Sequence, residues 1–178
     1  VTQHSSFYKF KYPKSSESNI LMNNNQCVRV VGNNCIESVE AVDSTQTAYY
    51  YAIFSKPFRS YVTWKDSLIS QDVKQEGLDI GALVTFDTSQ DEEIMVKIGV
   101  SFIDMEQAKR NLEMEIPAWD FDKVKNDGRE IWNNALGKIK IEGGTDKQKT
   151  IFYSALYRVM LGSQTLDRSE YGRYYSRL

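Results

Sequence analysis

The N-terminal part of the chain, to Phe102, alternates apolar and polar positions with the period of two that is typical of half-buried strands. Tyr8 to Tyr12 and Ile94 to Phe102 follow this pattern, whereas Thr47 to Phe54 is apolar or aromatic nearly throughout. That composition predicts a strand buried on both faces. Further strands are predicted over 20–22, 28–31, 36–42, 58–64 and 80–86. Short strands joined by turns predict an antiparallel β-sandwich.

Beyond Phe102 the apolar period lengthens, and helices are predicted over 104–115, 122–136 and 146–161. Asp104 with Gln107, and Thr145 with Gln148, have the spacing of capping boxes that begin the first and third helices. Residues 138–142 are expected to form a short strand. The second helix should present one apolar face, formed by Val124, Ile131, Trp132, Ala135 and Leu136.

The third helix has the widest apolar face in the chain. Its members recur at helical spacing and are Ile151, Phe152, Ala155, Leu156, Val159 and Met160. No further helix follows in the sequence, so this face is expected to be exposed and the second domain truncated. The order of strands and then helices indicates an α+β fold. We expect a partial β-sandwich over 1–103, a helical linker over 104–142 and the start of a helical domain over 143–178.

Composition excludes two classes of partner. Net charge is −2, from 22 basic and 24 acidic residues, and the chain has no basic run that would bind nucleic acid. No apolar stretch approaches the roughly 20 residues that span a bilayer. The chain begins at Val1 without an apolar signal-peptide region, as expected of a mature or excised segment.

Few residues point to a catalytic or metal site. The one histidine, His4, is expected to be a solvated side chain near the terminus, and no zinc, phosphate-loop or nucleophile-elbow motif is present. Asp120 and Asp122 are better explained as helix-capping acids than as an acid/base pair. Cys27 and Cys35 lie on the two arms of a predicted hairpin, out of register for direct pairing, so a disulfide does not follow.

Residues 167–175 form a polar segment of different character. This segment combines two arginines, two carboxylates and three tyrosines. Carboxylates and arginines bond hydroxyl pairs and tyrosine rings pack on sugar faces, so Asp167, Glu170 and Arg173 are the predicted substrate contacts. A solvated loop anchored by aromatic packing is the alternative.

Several motifs, in order and at compatible spacing, resemble glycoside hydrolase family 92. In the second half of the chain they are Ile98–Ile103, Ala108–Leu112, Glu115–Asp122, Trp132–Asn133, Leu136–Ile139 and Phe152–Tyr157. Phe54–Phe58 resembles part of the family's sandwich domain. Many members continue after the third helix with a Ser-Asp-x-Asp-Gly-x-Tyr run, where this sequence has Glu170 to Ser176. This departure bears on which mannose linkage the protein cleaves.

The resemblance implies a calcium-dependent, inverting, exo-acting α-mannosidase, commonly α-1,2-specific, that acts on mannose-containing glycans. It implies a sandwich of the galactose-mutarotase-like supersandwich type that precedes an (α/α)6 barrel. The family's catalytic carboxylates and calcium ligands are expected beyond Leu178, so the segment alone is expected to be inactive and to need the rest of its polypeptide. Secretion, or a periplasmic or cell-surface location, is implied as well.

Two alternatives to an enzyme remain open from the sequence. The first is a stand-alone sandwich that binds carbohydrate without a catalytic partner. The second is an unrelated β-rich interaction domain. The first needs neither the predicted helices nor the tyrosine-rich segment, and a reading frame that continues past Leu178 would decide between enzyme and module.

Overall fold

A computed structural model describes residues 1–24 and 26–162. The described residues form ten strands and three helices. The strands are β1 Ser5–Lys11, β2 Ser18–Asn24, β3 Cys27–Val31, β4 Cys35–Ala41, β5 Thr47–Phe54, β6 Ser60–Lys65, β7 Leu68–Ser70, β8 Lys74–Glu76, β9 Ile80–Phe86 and β10 Glu93–Ser101. The helices are α1 Met105–Glu115, α2 Phe121–Leu136 and α3 Asp146–Gly162. The chain divides into two compact units, Val1–Lys125 and Asn126–Leu178.

The strands build two antiparallel sheets, which confirms the predicted β-sandwich followed by helices. One sheet has the order β1-β10-β5-β4-β3-β8, and the other has the order β2-β9-β6-β7. Their facing sides bury a common apolar core that includes Phe54, Phe86, Ile80 and Ile94. Phe58 packs edge-on against both Phe54 and Phe86, with ring centroids 5.2 and 5.6 Å apart. Aromatic pairs of this geometry stabilise a core beyond the area they bury.

The prediction that β5 is buried on both faces is wrong. Ala48, Ala52 and Phe54 are fully buried in the sandwich core, whereas Tyr49 to Tyr51 on the same strand are only partly buried. The strand lies between β10 and β4 in the sheet, and α1 packs against β10 and β5. Tyr49 and Tyr51 lie on the face opposite Ala48 and Ala52, where Tyr51 packs against the cluster of Phe7, Leu112 and Ile116.

The β3–β4 hairpin turns at Gly32, which has φ of +62°. Val31 pairs with Cys35, and Cys27 pairs with Val39 four positions further along β4. The two thiols are free, Cys35 being buried and Cys27 partly exposed. The register therefore keeps the two cysteines apart, in agreement with the sequence.

Both predicted N-caps are present, but only the third helix has the reciprocal capping box that was predicted for both. The Asp104 carboxylate accepts from the Gln107 amide at 2.7 Å, and the Gln107 side chain donates to Asn111. Thr145 and Gln148 form the reciprocal pair, with the Thr145 N–H donating to Gln148 Oε1 at 2.8 Å and the Gln148 N–H donating to Thr145 Oγ1 at 3.3 Å. The strand predicted over 138–142 is wrong, since these residues form turns and coil.

The apolar positions predicted for the second and third helices are exposed or only partly buried. Ile131 of α2 is 68% exposed, and Ile151 and Val159 of α3 are 60% and 66% exposed. The expected exposure of the α3 face is thereby confirmed, whereas the apolar face predicted for α2 does not bury Ile131. Among the described helices, none is both long and apolar enough to cross a membrane.

Helix α1 approaches strand β10 closely at Gly99. A Cβ atom at this position would lie 2.1 Å from the Ala108 carbonyl oxygen and 2.8 Å from Leu112 Cβ. Ala108 and Leu112 are buried at this contact. Glycine is therefore the residue that allows the helix to pack directly on the sheet.

Candidate functional site

The predicted substrate contacts Asp167, Glu170 and Arg173 lie outside the described residues. Their role stays a prediction. The described part of the chain offers two other places with concentrated chemistry. One is the segment Glu115–Asp122, called here the junction segment, which joins α1 to α2. The other is a groove on α3.

Glu115, at the last position of α1, binds the N-terminal residues of the chain. Its carboxylate accepts hydrogen bonds from the Thr2 hydroxyl and from the His4 backbone N–H, the latter at 2.9 Å. The His4 ring Nδ1 lies 2.7 Å from Glu115 Oε1. The expectation of a solvated His4 is therefore wrong, because its side chain is 30% exposed and paired with a carboxylate that is 21% exposed.

The pKa of Glu115 reflects opposing effects. Burial raises the pKa of this carboxyl, but hydrogen bonds from Thr2 and His4 and the charge of His4 outweigh burial and lower it below its ordinary value of 4.5. Because the pKa of Glu115 is lower in the folded state than in the unfolded state, this carboxyl stabilises the fold at pH values above its unfolded-state pKa. The contribution is lost as pH falls through its folded-state pKa.

Glu115→Gln is expected to lower the free energy of unfolding by about 2 kcal/mol near neutral pH, because a charge-assisted acceptor is lost. The deficit should be smaller at about pH 3 than near neutral pH, because the stabilisation by a carboxyl with a lowered pKa is lost as pH falls through that pKa. Urea denaturation at the two pH values measures both differences. Glu113→Gln, an exposed change on the same helix, is the control. A deficit independent of pH would contradict the assignment.

Lys97 of β10 binds the first two residues after α1, Ile116 and Pro117. Its ammonium donates to the carbonyl of Ile116 at 3.0 Å and to that of Pro117 at 3.4 Å. The same nitrogen lies 4.4 Å from the centroid of the Trp119 ring, a cation–π contact. Lys97 is only 6% exposed, and burial lowers the pKa of its amine.

The aromatic residues of the junction segment pack on β1. Phe7 meets Trp119 and Phe121 edge-on, with ring centroids 5.8 and 5.4 Å apart. Asp120 Oδ1 accepts from the Lys123 N–H at 2.9 Å, which confirms the capping role predicted for this acid. The motif Glu115–Asp122 thus holds α1, β1, β10 and the start of α2 together.

The four described carboxyl groups with a shifted pKa have the wrong electrostatics for a general acid. Glycosidic cleavage needs one carboxyl whose pKa is raised, so that it carries a proton at working pH. The described carboxyls with a shifted pKa are Glu76, Asp87, Asp91 and Glu115, and all four are lowered. Their main lowering contacts are Lys74 for Glu76, Ser89 for Asp87, Lys56 for Asp91 and Thr2 for Glu115.

A groove of about 740 Å³ lies in the second unit. Hydroxyl, aromatic and charged side chains line it, and they are Leu136, Asp146, Lys149, Thr150, Tyr153, Ser154, Tyr157 and Arg158. Tyr157 packs edge-on against Trp132 at 4.5 Å, and the Tyr153 hydroxyl donates to the Ile139 carbonyl. This lining suits hydrogen bonds to a polyol, but it has one carboxylate where hydrolysis needs two. Over residues 1–24 and 26–162, no group of three or more His, Cys, Asp or Glu could hold a metal ion.

Sequence reasoning missed Lys97 and the His4–Glu115 pair. Lys97 is an ordinary polar position in the alternation of β10, and its burial depends on a helix turn that is 19 residues away in sequence. His4 and Glu115 are 111 residues apart. The family motif Glu115–Asp122 pointed to this region of the sequence, but it did not indicate which other residues contact the motif.

Two models of one protein family match the chain. The N-terminal domain of glycosyl hydrolase family 92 matches residues 1–101, and the catalytic domain of that family matches residues 107–177. A protein of Arthroderma benhamiae, named an uncharacterized secreted glycosidase, is 40% identical over 75 residues. That match covers 40% of this chain and 10% of the relative.

Solved structures of family 92 enzymes have the same fold. An inverting mannosidase from Bacteroides thetaiotaomicron gives a TM-score of 0.81 at 25% identity, over 89% of this chain and 23% of its own. Another α-mannosidase from the same bacterium gives a TM-score of 0.76 at 23% identity, over 86% of this chain and 23% of its own. The chain thus spans less than a quarter of these enzymes. Since the N-terminal-domain model alone covers more than half of the 178 residues, the chain belongs to glycosyl hydrolase family 92.

Proposed function

We propose that the protein containing this chain is an exo-acting α-mannosidase that cleaves α-1,2-linked mannose from glycans with inversion. The observation that carries the proposal is the match of residues 1–101 and 107–177 to the two domains of one glycosidase family. The structural likeness to an inverting mannosidase over 89% of the chain supports the substrate class and the stereochemistry. The match of residues 107–177 to a catalytic domain weighs against a stand-alone binding module.

Inversion requires two carboxyl groups on opposite sides of the scissile bond, roughly 6.5–9.5 Å apart, with a water molecule between one of them and the sugar. Several of the described carboxyls serve caps, turns or ion pairs, and we assign none of the described carboxyls to this pair. In our proposal the chain contributes the sandwich and the first helices of the catalytic domain, which support the site. We also propose that domain limits at residues 103 and 142 separate the partial sandwich, the helical linker and the start of the helical domain.

The product anomer tests the proposal on the full-length protein. Proton NMR during cleavage of α-1,2-mannobiose should show β-mannose first, followed by slow mutarotation. α-1,3- and α-1,6-mannobiose are the linkage controls and should be cleaved more slowly. α-Mannose as the first product would contradict inversion, and the absence of cleavage of all three would contradict the mannosidase assignment.

Calcium dependence is a separate part of the proposal. Among the described residues no group of three or more His, Cys, Asp or Glu could hold a metal ion, and we assign none of the calcium ligands to them. Activity of the full-length protein should fall after chelation and return with added calcium but not with magnesium. Full activity after exhaustive chelation would contradict calcium dependence.

A secreted or cell-surface location is proposed as well, in line with the secreted glycosidase of Arthroderma benhamiae.

Asp167, Glu170 and Arg173 are proposed to contact the glycan. The support is compositional: carboxylates and guanidinium groups bond paired hydroxyls. Glu170→Ala in the full-length protein should lower kcat/KM on α-1,2-mannobiose by at least about tenfold, equal to ~1.4 kcal/mol. Glu130→Ala, an exposed carboxylate of α2, is the control. Equal kinetics and equal stability of Glu170→Ala would remove Glu170 from the site.

A further inference from the structure

The ammonium of Lys97 lies where an apolar side chain would be expected. On the strand pairs of its sheet, Lys97 stands opposite Phe7 of β1 and opposite Ile53 of β5. It is 6% exposed. A buried ammonium loses its hydration, and it is tolerated only where other groups replace the water. The replacement here is two backbone carbonyls and one indole ring.

The two carbonyls belong to the end of helix α1. The helix ends at Glu115, and the Ile116 N–H returns to the Leu112 carbonyl as its last backbone bond. Carbonyl groups at a helix C-terminus carry partial negative charge and need donors from elsewhere. Lys97 is such a donor, and Pro117 cannot continue the helix. The ammonium therefore binds the chain where it leaves α1, through the carbonyls of Ile116 and Pro117.

The contacts of Lys97 cross the boundary between the two matched domains. Lys97 lies in the region that matches the N-terminal domain, whereas Ile116, Pro117 and Trp119 lie in the region that matches the catalytic domain. Residues up to Lys125 nevertheless belong to the first compact unit. The beginning of the catalytic-domain match is thus folded as part of the sandwich unit.

We propose that Lys97 is a positioning residue of the glycosidase, which fixes the junction segment and the start of α2 without touching substrate. The proposal rests on the proposed mannosidase function. A buried charge contributes little stability compared with an apolar residue of equal size, and in several proteins its role is to specify one arrangement. Misplacement of catalytic groups by about 1 Å lowers rates by about a hundredfold. A fixed chain path therefore matters more for turnover than for stability.

Lys97→Met in the full-length protein tests the proposal, because methionine keeps the apolar stem and removes the ammonium. The expected result is at least a tenfold lower kcat on α-1,2-mannobiose with KM nearly unchanged, together with a lower melting temperature, because the buried Ile116 carbonyl loses its donor. Hydrogen exchange of the amides of Ile116 and of residues 118–121 should become faster. Lys9→Met is the matched control, since Lys9 is paired with Glu93 at the surface, and it should leave kcat and exchange unchanged.

An unchanged kcat and unchanged exchange in Lys97→Met would overturn the proposal. If Lys97→Met does not fold, Trp119→Leu decides, because it removes the ring over the ammonium and keeps apolar packing. A lower kcat with faster exchange in Trp119→Leu supports the proposal, and wild-type values overturn it. If the wild-type protein cleaves no mannoside, the proposed function fails, and the exchange measurement alone then decides whether Lys97 fixes the junction segment.

Discussion

Gly99→Ala is expected to destabilise the first unit by about 3 kcal/mol, near the upper end of what one added methyl group costs in a packed interior. The new Cβ would lie 2.1 Å from the Ala108 carbonyl oxygen, which is a backbone atom and cannot rotate away. Helix α1 would have to move off β10, and Leu112 and Ile116 would lose contact with Phe7, with which they form a buried apolar cluster separate from the sandwich core. Urea denaturation followed by circular dichroism measures the loss.

The control for Gly99→Ala is Val100→Ile. This change also adds one carbon atom to β10, at the neighbouring and only partly buried position. It should alter the free energy of unfolding by no more than about 0.5 kcal/mol. A Gly99→Ala variant as stable as wild type would mean that α1 is not seated on the sheet at this point.

Gly99 also shows what a sequence alone can reveal. The alternation around it predicted β10 correctly, and the Asp104–Gln107 spacing predicted the start of α1. These are local signals, which depend on residues within one or two turns. That α1 folds back onto Gly99 is a contact between two elements, and no local period encodes it. The glycine is informative only after the helix is in place.

Short elements escaped prediction for a related reason. β7 and β8 have three residues each, too few to show a period of two, and Leu68 and Ile69 of β7 are 78% and 74% exposed. Their pairing with β6 and β3 is decided by the sheets, not by their own composition. The opposite error occurred at 138–142, where alternating apolar residues form no strand because no partner strand is present in that part of the described chain.

In the candidate site, too, local contacts could be predicted from the sequence and contacts between distant elements could not. Capping by Asp120 was predictable, since it needs only the three residues that follow. The burial of His4 against Glu115 and of Lys97 against Trp119 was not, because both depend on how the sandwich and α1 pack. The family resemblance identified the Glu115–Asp122 motif as characteristic. The structure gives the physical reason, which is that this motif joins α1 and the start of α2 to the N-terminal residues and β10 through one carboxylate, one indole and one helix cap.

The 178-residue chain by itself is expected to show no measurable hydrolysis of α-1,2-mannobiose, while the full-length protein cleaves it. A glycosidase needs a protonated and an ionised carboxyl around one bond. Every described carboxyl with a shifted pKa is shifted downward, which favours the ionised form and leaves no proton donor among them. The α3 groove holds Asp146 as its only described carboxylate.

The assay must separate a missing catalytic pair from a misfolded chain. Circular dichroism should show the sheet signal of the sandwich, and the exposed Ile151 and Val159 should bind a hydrophobic dye. Replacing both by lysine should reduce dye binding and leave the sheet signal unchanged. A folded chain that is inactive under conditions where the full-length protein is active supports the prediction. Turnover by the folded 178-residue chain would show that a carboxyl pair within it is sufficient for hydrolysis, and the assignment of the described carboxyls to caps and ion pairs would then be wrong.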